Sequence, residues 1–233
     1  MRKIYILITL VLFCSVIHAQ LIINQGFVNV NDGHVGTMQT FIDGKPVFGS
    51  PFFSDEWLHG RITLADGRSY DNYTLKYNVL NQVVMFRQGN DSLESDQLIK
   101  EFTLLEPTGQ VRFINFLNSK PEKKTVYYKV LFDNAFGMVL ESFAKVPADI
   151  LEDGMNNKQI KYLKTENAFF YAEKKTVKPV RIKSGGSNIV ALLNLNAEDE
   201  KVLLPYLYDF RLEPDVLRFF NEYFLNIVRK GAH

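Results

Sequence analysis

Arg61-Ile62-Thr63-Leu64-Ala65-Asp66-Gly67-Arg68-Ser69-Tyr70-Asp71-Asn72-Tyr73-Thr74-Leu75-Lys76-Tyr77 reads as a β-hairpin. The first strand is Arg61 to Ala65 and the second Tyr70 to Tyr77. Between them Asp66-Gly67 supplies the positive φ that a tight hairpin turn needs. In the second strand Tyr73, Leu75 and Tyr77 alternate with Thr74, Lys76 and Asn78. A period of two is the mark of a strand with one face buried.

Downstream the same signal repeats. Further strands are expected at Gln82 to Arg87, Leu98 to Leu105, Gln110 to Leu117, Thr125 to Phe132 and Gly137 to Val146. Gln159 to Lys164, Ala168 to Lys174 and Val177 to Lys183 complete the series. The links are short, as at Glu106-Pro107-Thr108-Gly109, and short links join antiparallel neighbours because a parallel crossover takes a dozen residues or more. The expectation is a curved antiparallel meander able to curl into a half-barrel.

After Ser184-Gly185-Gly186-Ser187, read as a hinge in preference to an anion-binding glycine turn flanked by Arg181 and Lys183, the pattern turns helical. Asn188 to Asn194 reads as a short helix and Glu198 to Leu204 as a second, with Pro205 kinking it or opening a new turn. Pro214 suits the start of a final helix. Along it Val216, Phe219, Phe220, Tyr223, Phe224, Ile227 and Val228 recur at helical spacing. Burying seven such side chains is worth roughly 10–20 kcal/mol gross, at about 1.5–3 kcal/mol each. That helix must therefore dock, and the sheet is the nearest surface. The fold class is α+β: an antiparallel sheet followed by two or three C-terminal helices on one face.

Upstream, Gln20 to Trp57 is glycine-rich and irregular, with turn signals at Asp32-Gly33 and Asp43-Gly44, and reads as an N-terminal arm with one or two short strands. Met1 to Ala19 has the pattern of a secretory signal peptide: Arg2 and Lys3, the apolar Ile4 to Ile17, then Ala19 before the cut. Cys14, the sole cysteine, follows Phe13 rather than the small residue that lipoprotein processing needs, and leaves with the peptide. The apolar stretch is shorter than the ~20 residues of a membrane span, and no later segment spans. The organisation expected is signal peptide 1–19, arm 20–57, and one domain over 58–233.

Without Arg2 and Lys3, Lys+Arg falls from 27 to 25 against 26 acidic residues, a net charge of −1. Such balance gives no electrostatic pull toward nucleic acid or an anionic membrane. A chain without cysteine beyond residue 14 relies on its packed core rather than disulfides. His34, His59 and His233 remain but form no paired metal motif, and no thiolates join them. Asp149 to Gly154 resembles a calcium loop only until Leu151 and Ile160 fall where oxygen ligands belong. No Gly-x-Ser-x-Gly elbow and no phosphate-binding glycine loop is present. Asp55-Glu56 and Glu152-Asp153 are acidic pairs, but adjacency does not set two carboxylates across a cleft. No cofactor is expected.

Aromatic residues are abundant, with 19 Phe, 11 Tyr and one Trp. Tyr127-Tyr128 and Phe169-Phe170-Tyr171 place rings at consecutive strand positions, which point to opposite faces. The sheet is thus apolar on both sides in places. Either a fully covered core strand or an apolar groove beneath the helices explains this. Tyr127, Phe169, Tyr171, Phe220 and Phe224 are the residues expected to line such a groove.

Gly49-Ser50-Pro51-Phe52-Phe53, Trp57, Gly60, Leu64-x-Asp66-Gly67, Tyr70 and Leu75-Lys76-Tyr77-Asn78 resemble small secreted β-rich proteins of the Bacteroidota, a Gram-negative group. The segment Leu204 to Phe224 and the Ala19-Gln20 junction are similar to theirs as well. The resemblance implies export to the periplasm or beyond and brings no activity or catalytic residue with it. Asp91-Ser92-Leu93 resembles the short O-glycosylation signal of such organisms, but three residues are a weak match and a plain loop is the preferred reading. The functional expectation is a cell-envelope protein that binds an apolar ligand or a protein partner without catalysis. The alternatives are a structural envelope component and, third, a carboxylate-dependent glycan hydrolase.

Overall fold

The computed structural model describes residues 27–30, 39–42, 45–95, 97–116, 126–150, 160–175 and 178–228. The signal segment, His34, Glu152-Asp153 and His233 lie outside them. The expected hairpin is there: β4 (Leu58–Leu64) pairs antiparallel with β5 (Ser69–Asn78) around the Asp66-Gly67 turn. β6 (Val83–Gln88), β7 (Asp91–Ser95), β8 (Ile99–Glu106), β9 (Gly109–Asn115) and β10 (Tyr127–Asp133) follow. β11 (Gly137–Ile150) and β12 (Ile160–Glu173) form a hairpin of fourteen residues a side, and β13 (Val180–Arg181) pairs with the end of β12.

Three segments of the N-terminal stretch join the same sheet: β1 (Phe27–Val30), β2 (Gln39–Ile42) and β3 (Lys45–Phe48). The strand order is β1-β7-β6-β5-β4-β8-β9-β10-β11-β12-β3-β2, with β13 on β12. All pairings are antiparallel except β3 on β12.

The sheet is open but tightly curled. β5 and β11 stand five strand spacings apart in the order, about 24 Å if the sheet were flat. One side chain nevertheless bridges them. Gln82 Oε1 accepts from Tyr77 Oη (2.8 Å) and from the Tyr127 backbone N–H (3.1 Å). Its Nε2 donates to the carbonyls of Val79 (2.8 Å) and Phe143 (3.2 Å). Inside this curl lie Leu75, Tyr77, Phe86, Phe102, Leu104, Phe113 and Tyr127, all buried. Phe102 stacks on Phe113 with centroids 4.7 Å apart, and Tyr77 meets Tyr127 at 5.7 Å. Gly60 lets β4 approach β8 here, since a Cβ would fall 2.0 Å from the Thr103 carbonyl oxygen.

The C-terminal helices cover one face of the β11–β12 hairpin. They are α1 (Ile189–Leu193), α2 (Ala197–Leu203) and α3 (Glu213–Tyr223), with a 3-10 turn at Pro205–Leu207 and a π turn closing α3 at Phe224–Val228. Asn196 caps α2 through a capping box with Asp199. Val216, Phe219 and Phe220 are fully buried against Val139, Phe169 and Tyr171. On the reverse face Leu140, Met138, Ile114 and Ala172 form a smaller apolar cluster with Tyr128 and Phe170.

Four expectations need correcting. The two strands expected at Gln159 to Lys164 and Ala168 to Lys174 are, from Ile160 to Glu173, a single strand, because cross-strand pairing with β11 runs unbroken from Ile150↔Ile160 to Gly137↔Glu173. The polar Thr165-Glu166-Asn167 that looked like a break sits mid-strand. Asp91-Ser92-Leu93 is not loop but part of β7, and Ser92 is only 5% exposed. Of Val177 to Lys183, only Val180–Arg181 forms a strand. The last correction is in α3: Pro214 is its second residue, since the helix opens at Glu213.

Candidate functional site

Pairing along β12 is interrupted on its outer edge. β3 runs beside Lys161 and Tyr162, and β13 beside Phe170 and Tyr171, with the Ile182 N–H donating to the Phe169 carbonyl. Between them, on this outer edge, no described strand pairs with Lys164 to Ala168, which β11 holds on the other side. Because the Phe169 carbonyl points outward, the alternation of a strand also turns outward the N–H and C=O of Asn167 and Thr165. Lys164 to Asn167 are all exposed.

Two local devices make the interruption. At one end Gly49 takes φ 108° beside Leu163 and turns the chain away from the sheet. The Pro51 carbonyl then accepts the N–H groups of Val79 and Leu80. At the other end the Asn188 side chain accepts the Lys183 N–H (2.9 Å) and donates to the Arg181 carbonyl (2.8 Å). That clip diverts β13 after Ile182. Gly186 completes the turn at φ 66°, where a Cβ would strike the Phe210 ring at 2.6 Å.

A cavity of about 330 Å³ opens over the interrupted edge, bounded by Lys164, Asn167, Phe169, Arg181, Phe210 and Arg211. Beside it lies a second of about 490 Å³ that includes Tyr206, Leu207, Asp209 and Asp215. Ser184 and Arg211 border both, so the two make one trough. Its rim carries bare apolar surface: Tyr206 is 78% and Leu207 59% exposed. Its cations differ in their neutralisation. The Arg211 guanidinium grips Asp209 (2.7 Å) and holds that carboxyl down at about 2. Lys164 lies 4.0 Å from Glu166. Arg181 makes no ion pair among the described residues.

Asn167 also reaches inward. Its Nδ2 donates to Glu141 Oε1 (2.8 Å), and the other Glu141 oxygen lies 3.3 Å from Lys129 Nζ. Lys129 in turn meets Glu213 (3.0 Å) at the start of α3. Glu141 is 3% exposed, and desolvation raises its pKa despite the Asn167 and Lys129 contacts. Burial also works against the charge on Lys129, but hydrogen bonds and attraction to Glu213 and Glu141 more than offset it and raise its pKa. These four residues form a polar bolt between the curled sheet and the helices.

The five aromatic residues expected to line a groove divide. Phe169, Tyr171, Phe220 and Phe224 belong to one cluster between sheet and helices. Their rings meet each other, Tyr171 stacking on Phe220 at 5.3 Å and Phe220 lying 6.1 Å from Phe224. Tyr127 belongs to the aromatic interior of the curl. Tyr171 also borders a cavity of about 240 Å³ with Glu173, Lys178, Val180 and Leu192. Of the trough residues, Arg181 was noticed only as a flank of the Ser184–Ser187 glycine turn, and Asn167 and Arg211 were missed; the signal in the sequence was the polar run at 165–167 between two apolar strand halves.

Among the described residues no group of three or more His, Cys, Asp and Glu is arranged to hold a metal, and no helix is long and apolar enough to cross a membrane. In comparisons with protein-family models, curated proteins and solved structures, nothing matched this chain.

Proposed function

We propose that the protein is exported through its N-terminal signal and acts in the cell envelope by binding a protein partner along the trough, without catalysis. The observation that carries this reading is a trough that joins bare apolar residues to a stretch of outer strand edge with which no described strand pairs. Tyr206 and Leu207 supply the contact area, and aromatic and aliphatic residues left in water beside polar groups are what partner surfaces offer. Export rests on Arg2, Lys3, the apolar Ile4 to Ile17 and Ala19.

The test places a photoreactive residue at position 207 of the full chain in its own cells. Intact mass should show a mature chain beginning at Gln20, and irradiation should give one discrete protein adduct that Tyr206→Asp abolishes. A diffuse smear, unchanged by that substitution, speaks against the trough as a partner site. An apolar-ligand reading has one supporting observation, the cavity beside Tyr171 and Leu192. At about 240 Å³ it is smaller than the usual ligand pocket of about 300–1,000 Å³.

A further inference from the structure

We propose that the outer edge of β12 from Lys164 to Ala168 receives an added β-strand, and that its occupant is an extended, acidic segment of a partner protein. The inference rests on the partner-binding reading above and names what that partner presents. Unpaired strand edges are templates for further pairing, and proteins that do not use them cover, charge or twist them. Here both neighbouring strands are turned aside by dedicated devices, the Gly49 turn and the Asn188 clip, and the gap between them stays exposed. Five strand residues span about 17 Å, enough for a short extended peptide. Thr165 and Asn167 offer it two N–H donors and two carbonyl acceptors at strand spacing. Main-chain bonds of this kind give affinity, while flanking side chains choose the sequence.

Charge complementarity selects an acidic occupant. Arg181, Lys164 and Arg211 border the gap, with Glu166 the carboxylate on the strand itself. Since Arg181 makes no ion pair among the described residues, a carboxylate on the incoming strand would complete it with charge-assisted hydrogen bonds. A basic strand would instead face Arg181, which has no ion pair among the described residues, while Lys164 and Arg211 already have Glu166 and Asp209 beside them.

The experiment uses the full mature chain and three labelled, capped seven-residue peptides, followed by fluorescence anisotropy. One alternates valine with glutamate, the second valine with lysine, and the third is the glutamate peptide N-methylated at alternate residues. The glutamate peptide should bind at least about tenfold more tightly than the lysine peptide, about 1.4 kcal/mol. N-methylation, which removes the strand hydrogen bonds, should abolish binding. Arg181→Glu should narrow or reverse the charge preference. Equal binding of the N-methylated peptide overturns strand addition, and equal binding of the lysine peptide overturns the acidic occupant. A concentration-dependent dimer that the glutamate peptide does not dissociate assigns the edge to a second copy and overturns the proposal. Failure of the peptides alongside a discrete adduct at position 207 would sink strand addition and leave partner binding standing. Loss of that adduct sinks partner binding itself.

Discussion

Two of the places where strand pairing stops among the described residues are handled in opposite ways. At the seam between β5 and β11, buried in the aromatic interior, Gln82 spends all its hydrogen-bonding capacity on four partners: Tyr77, Tyr127, Val79 and Phe143. It does so from a left-handed backbone, φ 58°, a conformation that non-glycine residues hold only when the surroundings impose it. Along β12 from Lys164 to Ala168 the edge is exposed, and no described strand meets it. The difference follows from water. A buried polar group without a partner costs about 1–3 kcal/mol, whereas an exposed one is served by solvent. A buried gap must be sealed within the chain; an exposed gap is free to be used.

Breaking the seam should have the largest effect. Gln82→Leu keeps the volume but strands the Tyr77 hydroxyl and the Tyr127 N–H, and should cost about 2–6 kcal/mol at about 1–3 kcal/mol per stranded group. Urea denaturation reads this directly, and a loss below 1 kcal/mol would mean that the seam is not held by the amide. Next comes the clip. Asn188→Ala removes two hydrogen bonds at the rim of the edge and should cost about 1–2 kcal/mol. It should also alter the affinity for the glutamate peptide, because the end of β13 is then free to move.

Glu141 gives a smaller, pH-dependent effect. Its folded pKa lies above the unfolded value near 4.5. The folded state therefore holds the proton more tightly, and this group's contribution to stability falls as pH rises from about 4.5 through the folded value. Relative to Glu141→Gln, the native protein should lose stability across that window on going to higher pH. A difference that is flat between pH 4 and pH 8 would show that burial does not raise the pKa of this carboxyl. Smallest is Thr165→Val on the open edge, expected to change stability by no more than about 0.5 kcal/mol, as surface positions do. A larger loss would reveal a partner for that side chain and count against an open edge.

The hairpin Arg61 to Tyr77 was legible because its turn chemistry and its period of two are local. So was the docking of the last helix, since Val216, Phe219, Phe220 and Phe224 fall on one helical face. The split of β12 came from the same logic misapplied. A buried strand would not carry Thr165-Glu166-Asn167, but a strand with an exposed outer edge can. β1 and β3 pair with residues more than fifty positions away, which no local pattern reveals, whereas β2 pairs with its neighbour β3. The seam is equally non-local, for nothing around Gln82 in the sequence indicates that Tyr127 and Phe143 will close on it. Of the site, the ring cluster under the helices was readable from aromatic spacing. The trough was not, because the Asn188 clip and the Gly49 turn create it by deflecting strands that would otherwise fill it.

Backbone amide hydrogen exchange of the full mature chain tests the central contrast most directly. The Tyr127 amide, bonded to Gln82 in the buried seam, should exchange only with global unfolding. The amides of Thr165 and Asn167 should exchange far faster, close to the rate of an unstructured chain, although their neighbours Glu166 and Ala168 on the β11 side remain protected. Protection of Thr165 and Asn167 matching that of Tyr127 would show that the edge is already occupied, and would contradict the account.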